Sequence, residues 1–267
     1  MSILEEIRKH KIREVAERKE LYPVKLLERS MYFKERPVSL RKYLLRKDLC
    51  GIIAEFKRQS PSRGVINRYA RAAEVCHGYM QAGASALSVL TDTKYFGGSA
   101  DDLQAARKFN YCPILRKDFI LDEYQIIEAR SMGADVVLLI AALLDKKEMH
   151  KLAKFAVSLG MEVLAEFHSH EELGKLNPYI QHVGVNNRDL KTFDVNLTTA
   201  YELAEHIPDD FIKIAESGIE EATTVFALRK AGYHGFLIGE YFMRQPDPAA
   251  ACARFIQDVR NYENIRP

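Results

Sequence analysis

Glu55, Lys117, Glu166, Asn186 and Glu216 each stand two positions after an apolar residue or a glycine, near the end of a short apolar run. Lys57 follows Glu55 at the same interval. Side chains alternate along a strand, so Ile53, Glu55 and Lys57 share a face, with both charges at its C-terminal end. Charged groups leaving a buried strand are costly unless they are paired or serve a site. For Glu55 and Lys57 alone, a structural ion pair at a strand end is the lesser but common alternative. Six such positions, combining two ammonium groups, three carboxylates and an amide, fit proton-transfer chemistry better than stabilisation. A second set is made for an anion. Ser217-Gly218-Ile219 and Ile238-Gly239 follow two successive apolar runs, and Arg188 stands one run earlier. Backbone amides at such turns, with a guanidinium nearby, suit a phosphate.

The elements that must position these residues repeat: apolar strand, polar turn, amphipathic helix. Strands are predicted at 52–56, 86–90, 112–116, 136–140, 162–166, 183–186, 211–215 and 236–238. Their starts lie roughly 20 to 35 residues apart, the length of a βαβ repeat. Gly83, Gly133 and Gly232 stand between helix and strand, where a left-handed residue commonly ends a helix. Asp122-x-x-Gln125, Asp145-x-x-Glu148 and Ser169-x-x-Glu172 each fit a capping box at a helix start. Eight such units point to an α/β fold of the closed (β/α)8 TIM-barrel type, with the chemistry at the C-terminal strand ends. An open doubly wound sheet is the alternative, but no Gly-x-Gly-x-x-Gly follows the first strand. Residues 1–48 read as an amphipathic helical extension broken at Tyr22-Pro23, with Ile3, Leu4, Ile7, Ile12 and Val15 near helical spacing. No flexible linker follows, so the extension is expected to pack on a barrel over 49–267 within one domain.

A chain of 267 residues accommodates such a barrel. Its 47% hydrophobic and 28% charged residues are those of an ordinary globular protein, and a net charge of +2 argues against nucleic acid or an anionic membrane as partner. Cys50, Cys76, Cys112 and Cys252 show no paired metal spacing and read as reduced thiols, so a cytoplasmic protein is expected. The start lacks the form of a signal peptide, and the longest apolar run, 136–144, is about half a membrane span. Other features read more plainly. His168-Ser-His170 is expected to be a solvated loop with Ser169 as helix cap, Cys50 to be packing, and Arg58 and Arg63 to lie in a solvated or anion-binding loop. Tyr95-Phe96 fits either a core cover or a contact to a substrate ring.

Taken in order, Ala54-Glu-Phe-Lys-Arg-Gln-Ser-Pro-Ser, Leu90-Thr-Asp-Thr-Lys-Tyr-Phe-Gly-Gly-Ser, Ile114-Leu-Arg-Lys-Asp-Phe-Ile, Gly184-Val-Asn-Asn-Arg-Asp-Leu and Ala215-Glu-Ser-Gly-Ile resemble the indole-3-glycerol phosphate synthase family, and so does the helical extension. The resemblance implies a monofunctional lyase of tryptophan biosynthesis that needs no cofactor and no metal. Its substrate would be 1-(2-carboxyphenylamino)-1-deoxyribulose 5-phosphate, which cyclises and loses CO2 and water. It further implies Lys117 as the acid at the developing alkoxide and Glu166 as an aid to proton removal and dehydration. Lys57 would contact the substrate's carboxylate or phosphate region and help expel water. Glu55, Asn186 and Glu216 would orient these groups and stabilise positive charge on the ring nitrogen. Arg188, Ser217, Gly218 and Gly239 would hold the phosphate, and Ser60 and Phe96 would border the anthranilate part.

One departure stands out: Glu240 follows Gly239 where many family members place a small hydroxyl residue. Its carboxylate would repel a phosphate, so the side chain is expected to turn away and offer only its backbone N–H. Two other functions compete. In a sugar-phosphate isomerase of the Amadori type, Glu55 and Glu166 would form the acid/base pair and the two lysines would be surplus. A non-catalytic phosphate-binding barrel is the other. The expected partner is a small phosphorylated substrate, and the expected state a monomer or weak homo-oligomer.

Overall fold

A computed structural model describes residues 3–190 and 192–265. The apolar runs form eight parallel strands, buried on both faces as such runs must be: β1 (Ile52–Phe56), β2 (Ala86–Leu90), β3 (Ile114–Lys117), β4 (Val136–Ile140), β5 (Glu162–Phe167), β6 (His182–Asn186), β7 (Ile212–Glu216) and β8 (Tyr233–Ile238). They close into a barrel in chain order, the seam being β1 against β8 with Ile52 opposite Phe236. Closure leaves no free sheet edge and brings every strand's C-terminal end to one mouth. Helices between the strands cover the outside.

The strand boundaries differ from expectation in five strands: β5 runs on one residue to Phe167, β6 begins one residue earlier at His182, and three others move. β3 starts at Ile114 rather than Cys112 and runs on through Lys117, while β7 is shifted by one residue to end at Glu216. β8 begins at Tyr233, immediately after Gly232, and its pairing to β7 slips between Tyr233 and Gly235. Gly83, Gly133 and Gly232 all adopt left-handed φ at their helix ends. The capping boxes at Asp122 and Asp145 form. The one at Ser169 does not: a 3-10 turn, Glu171–Lys175, follows β5, and Glu172 instead accepts the His168 backbone N–H at 2.8 Å. Two short elements had no periodic signal. A hairpin of Gln59–Ser60 against Gly64–Val65 sits in the loop after β1, and helix Thr93–Phe96, capped by Asp92, sits in the loop after β2.

The extension is helical, with its main helix at Ile3–Leu21 and three short ones at Val24–Leu27, Met31–Lys34 and Leu40–Leu44. It straps the barrel from the mouth at the C-terminal strand ends to the opposite end. At the far end Leu40 and Leu44 are buried, and Glu162 at the start of β5 accepts from Ser39 Oγ at 2.5 Å and from the Arg41 backbone at 3.0 Å. Along the flank, Arg130 donates to the Tyr32 carbonyl and Tyr124 to those of Arg18 and Tyr22. At the mouth the contact is ionic. Ile12, which fits the apolar spacing, is 56% exposed, and its neighbour Lys11 is fully buried. Lys11 Nζ lies 2.9 Å from Asp92 and 2.9 Å from Asp118, the residues that follow β2 and β3, and 3.0 Å from Glu14. Arg116 holds the other oxygen of Asp118 at 3.0 Å and Glu128 at 2.7 Å, and Arg18 of the extension closes on Glu128. Burial opposes the Asp118 charge, but Lys11 and Arg116 more than offset it and hold the carboxyl well below its usual range.

Removing one partner from such a network leaves uncompensated buried charge. Lys11→Ala, which strands Asp92 and Asp118 side by side, is expected to cost about 3–5 kcal/mol of unfolding free energy in urea titrations. A loss below about 1 kcal/mol, the level of an exposed pair, would show that the strap is held elsewhere.

Candidate active site

Parallel register decides which side chains meet at the mouth. Asn186 pairs in register with Glu216, and Glu166 with Gly184 and Ile140. Lys117 projects inward from the end of β3 and reaches across the mouth, its Nζ 2.7 Å from Glu166 Oε2 and 2.9 Å from Glu216 Oε2. Asn186 donates to the other oxygen of Glu166 at 3.1 Å and accepts the Arg188 backbone N–H at 3.0 Å. Lys57 pairs with Glu55 at 3.1 Å, and Ser88 Oγ donates to Glu55 at 3.2 Å. Glu55, Glu166 and Glu216 are all buried. Space for these carboxylates comes from glycine. A Cβ at Gly239 would stand 2.6 Å from Glu55 Oε1, and one at Gly184 would collide with Glu216 Oε1.

Electrostatics separate the acids. Burial works against the Lys117 charge, but Glu166, Glu216 and Glu55 outweigh it, so the ammonium is held above the ordinary lysine range. Burial would raise Glu166, yet Lys117 and then His168 pull it well below the carboxylate range. Glu216 goes the other way. Burial first, then the Glu166 charge, push it up to about 7 against the pull of Lys117, and its Oε1 has no hydrogen-bond partner. Two carboxylates around one ammonium are thereby set to different protonation at neutral pH.

Glu55, Lys57, Ser60, Phe96, Lys117, Glu166, Asn186, Arg188, Glu216 and Ser217 line one cavity. Its apolar wall is Leu138, Ile140, Phe96 and Phe119, roofed by Ile3, Leu4 and Ile7 of the extension. Phe96 packs on Phe119 with ring centroids 5.9 Å apart, whereas Tyr95 turns to the extension and donates to Glu6 at 3.2 Å. Gly218 and Gly239 lie in an adjoining recess with Ser217, Arg188 and Arg63. Ser217 and Gly218 both have positive φ, a tight turn immediately after the Glu216 strand end. The cavity thus has an apolar end under the extension, a charged middle and an adjoining recess lined by the Ser217-Gly218 turn, Gly239, Arg63, Arg188 and Glu240.

Two residues correct the sequence reading. His168 is not in a solvated loop: it is largely buried, its Nε2 3.3 Å from Glu166 Oε1 and its Nδ1 3.7 Å from Glu172. It is in phase with Glu166 along β5, the one sequence signal that marked it. Burial would lower its pKa, but Glu166 and Glu172 raise it to about 9. Glu240 does not turn away. It points into the recess, because Arg63 at 2.9 Å and Arg188 at 3.1 Å draw its carboxylate in. Cys50, Cys76, Cys112 and Cys252 are buried free thiols away from the cavity. Among the described residues no His, Cys, Asp or Glu cluster is arranged to hold a metal ion, and no helix is long and apolar enough to cross a membrane.

The model of the indole-3-glycerol phosphate synthase family matches residues 4–255. The chain belongs to that family. It is 45% identical to the indole-3-glycerol phosphate synthase of Bacteroides thetaiotaomicron over 258 residues, covering 97% of this chain and 99% of that one. It is 43% identical to the synthase of Carboxydothermus hydrogenoformans, covering 92% and 95%. Solved structures support the barrel alone: the tryptophan synthase α subunit of Legionella pneumophila aligns with a TM-score of 0.60 at 13% identity, over 85% of this chain and 98% of that one. The chain is therefore an indole-3-glycerol phosphate synthase, a TIM-barrel lyase of tryptophan biosynthesis, and the isomerase and non-catalytic readings are set aside.

The His168 charge gives the synthase a pH signature. A histidine whose folded pKa lies above its ordinary value of about 6.5 contributes fully below that value and loses its contribution as pH rises through the folded pKa. The melting-temperature advantage of wild type over His168→Gln is expected to be largest near about pH 6 and gone by about pH 10. A gap that stays constant over that range would mean that His168 is neutral throughout.

Proposed function

We propose that the synthase closes the indole ring by handing protons between Lys117 and its neighbouring carboxylates. The substrate's carboxyphenyl ring lies on the apolar wall by Phe96, Phe119 and Ser60, with its phosphate in the recess of Arg188, Ser217, Gly218 and Gly239. In the first step the ring carbon bearing the carboxylate attacks the ketone carbon, forming the C–C bond. The ketone oxygen takes a proton from the Lys117 ammonium and becomes a hydroxyl, while the ring nitrogen carries the positive charge. Glu55 and Glu216 lie close enough to the cavity centre to stabilise that charge, and Asn186 orients Glu166. Loss of CO2 restores electron density to the ring. Glu166, ionised by its environment, then takes a proton from the methylene carbon beside the nitrogen, and Lys57 protonates the hydroxyl so that it leaves as water and the indole double bond forms.

The observation that carries this reading is the placing of Lys117 between a carboxylate held ionised and one that protonates near neutrality. Proton uptake by Glu216 removes a counter-charge from Lys117, which makes the ammonium a better acid at the moment the alkoxide forms. The reading also keeps the enzyme in the cytoplasm, supported by four buried free thiols, and takes it as a monomer or weak homo-oligomer.

Indole fluorescence on adding the carboxyphenylamino-deoxyribulose phosphate tests the acid. Lys117→Ala is expected to lower kcat by about 10²–10⁴-fold, the usual weight of a positioned acid. Lys57→Ala should lower it less if its share is confined to dehydration, and equal rates for wild type and Lys117→Ala would move the acid to Lys57.

A further inference from the structure

Glu240 presents a contradiction that the reaction does not explain: a carboxylate lines the recess where a phosphate has to sit. Its two oxygens are each engaged by a different arginine, Oε1 by Arg63 Nε at 2.9 Å and Oε2 by Arg188 Nη2 at 3.1 Å. The arginines come from different loops, Arg63 from the hairpin after β1 and Arg188 from the end of β6, while Glu240 opens the turn after β8. Three loops are thus drawn together over the recess by a single carboxylate. The two pairs are not equivalent. Arg188 is anchored, its Nη1 on the Phe193 carbonyl at 3.1 Å and its backbone N–H on Asn186, and its side chain is 21% exposed. The Arg63 side chain is 59% exposed.

We propose that Glu240 is an internal counter-anion of the phosphate recess, which occupies Arg188 until the substrate's phosphate displaces it. The proposal rests on the reading that this recess holds the phosphate. A dianion and a carboxylate cannot share one guanidinium at close range without repulsion, so the exchange is competitive. Arg188 is fixed in place and stays to receive the phosphate. Glu240 withdraws with Arg63, whose solvent-facing side chain gives the carboxylate a partner to leave with. When product departs, the carboxylate returns to Arg188. A carboxylate in this position keeps Arg188 oriented and its charge compensated before ligand binds, and it weakens the hold of every phosphate-bearing ligand. Glu240 acts through Arg188 and is a positioning residue that sets ligand affinity.

Titration calorimetry with inorganic phosphate, at fixed ionic strength, tests the exchange on wild type, Glu240→Gln, Glu240→Asp and Arg188→Gln. Glu240→Gln keeps the shape and removes the charge, and it is expected to bind phosphate about 5- to 10-fold more tightly, the weight of one partly exposed ion pair. KM for the carboxyphenylamino-deoxyribulose phosphate should fall in the same direction. Glu240→Asp keeps the charge and should bind no more tightly than wild type, which separates charge from a loosening of the turn. Unchanged or weaker binding by Glu240→Gln, with Arg188→Gln also weaker than wild type, would overturn the counter-anion while leaving the phosphate recess in place. Arg188→Gln binding as well as wild type would overturn the recess itself, and the proposal with it.

Discussion

Everything at the mouth of this barrel depends on an ammonium group held among buried carboxylates. Lys117 lies between Glu166 and Glu216, and none of the three would be stable there alone. Their mutual attraction lets charge stay buried, while burial itself raises Glu216 and the lysine lowers Glu166. The result is a set of proton donors and acceptors poised at different points although all are lysine or glutamate.

The end of β3 joins this site to the rest of the fold. Strand alternation sends Lys117 into the mouth and its neighbours Arg116 and Asp118 outward. Outward, Asp118 meets Arg116 and the buried Lys11, and Arg116 continues to Glu128 and Arg18. The same strand end therefore carries the proposed acid and the anchor of the helical extension. The helix fastened there also lays Ile3, Leu4 and Ile7 over the apolar end of the cavity. The extension is tied into the mouth through the loops after β2 and β3 and completes its wall.

Charge complementarity continues at the other end of the cavity, with an added tension. Arg188 is shared between the recess and Glu240, so the site contains an anion of its own before any ligand arrives. A small hydroxyl at that position would neither compete with a phosphate nor hold two arginines. The carboxylate changes the electrostatics of the recess while leaving the barrel and the proposed proton-transfer residues as they are.

The local code determined the order of strands and helices, because alternating and continuous apolar runs, left-handed glycines and capping boxes act over a few residues. It also picked out Glu55, Lys57, Lys117, Glu166, Asn186 and Glu216, since a charge in phase with a buried strand face is anomalous wherever the strand lies. Barrel closure made them neighbours, and only the register decided that Lys117 would reach Glu166 and Glu216 rather than Glu55. His168 and Glu240 were misjudged, and Lys11 passed over, for one reason. A charged side chain's environment is set by opposite charges far away in sequence, Asp118 for Lys11, Glu166 and Glu172 for His168, Arg63 and Arg188 for Glu240. Apolar periodicity reports burial of hydrocarbon, whereas ion pairing across loops is a property of the assembled fold, which alone brings those partners within reach.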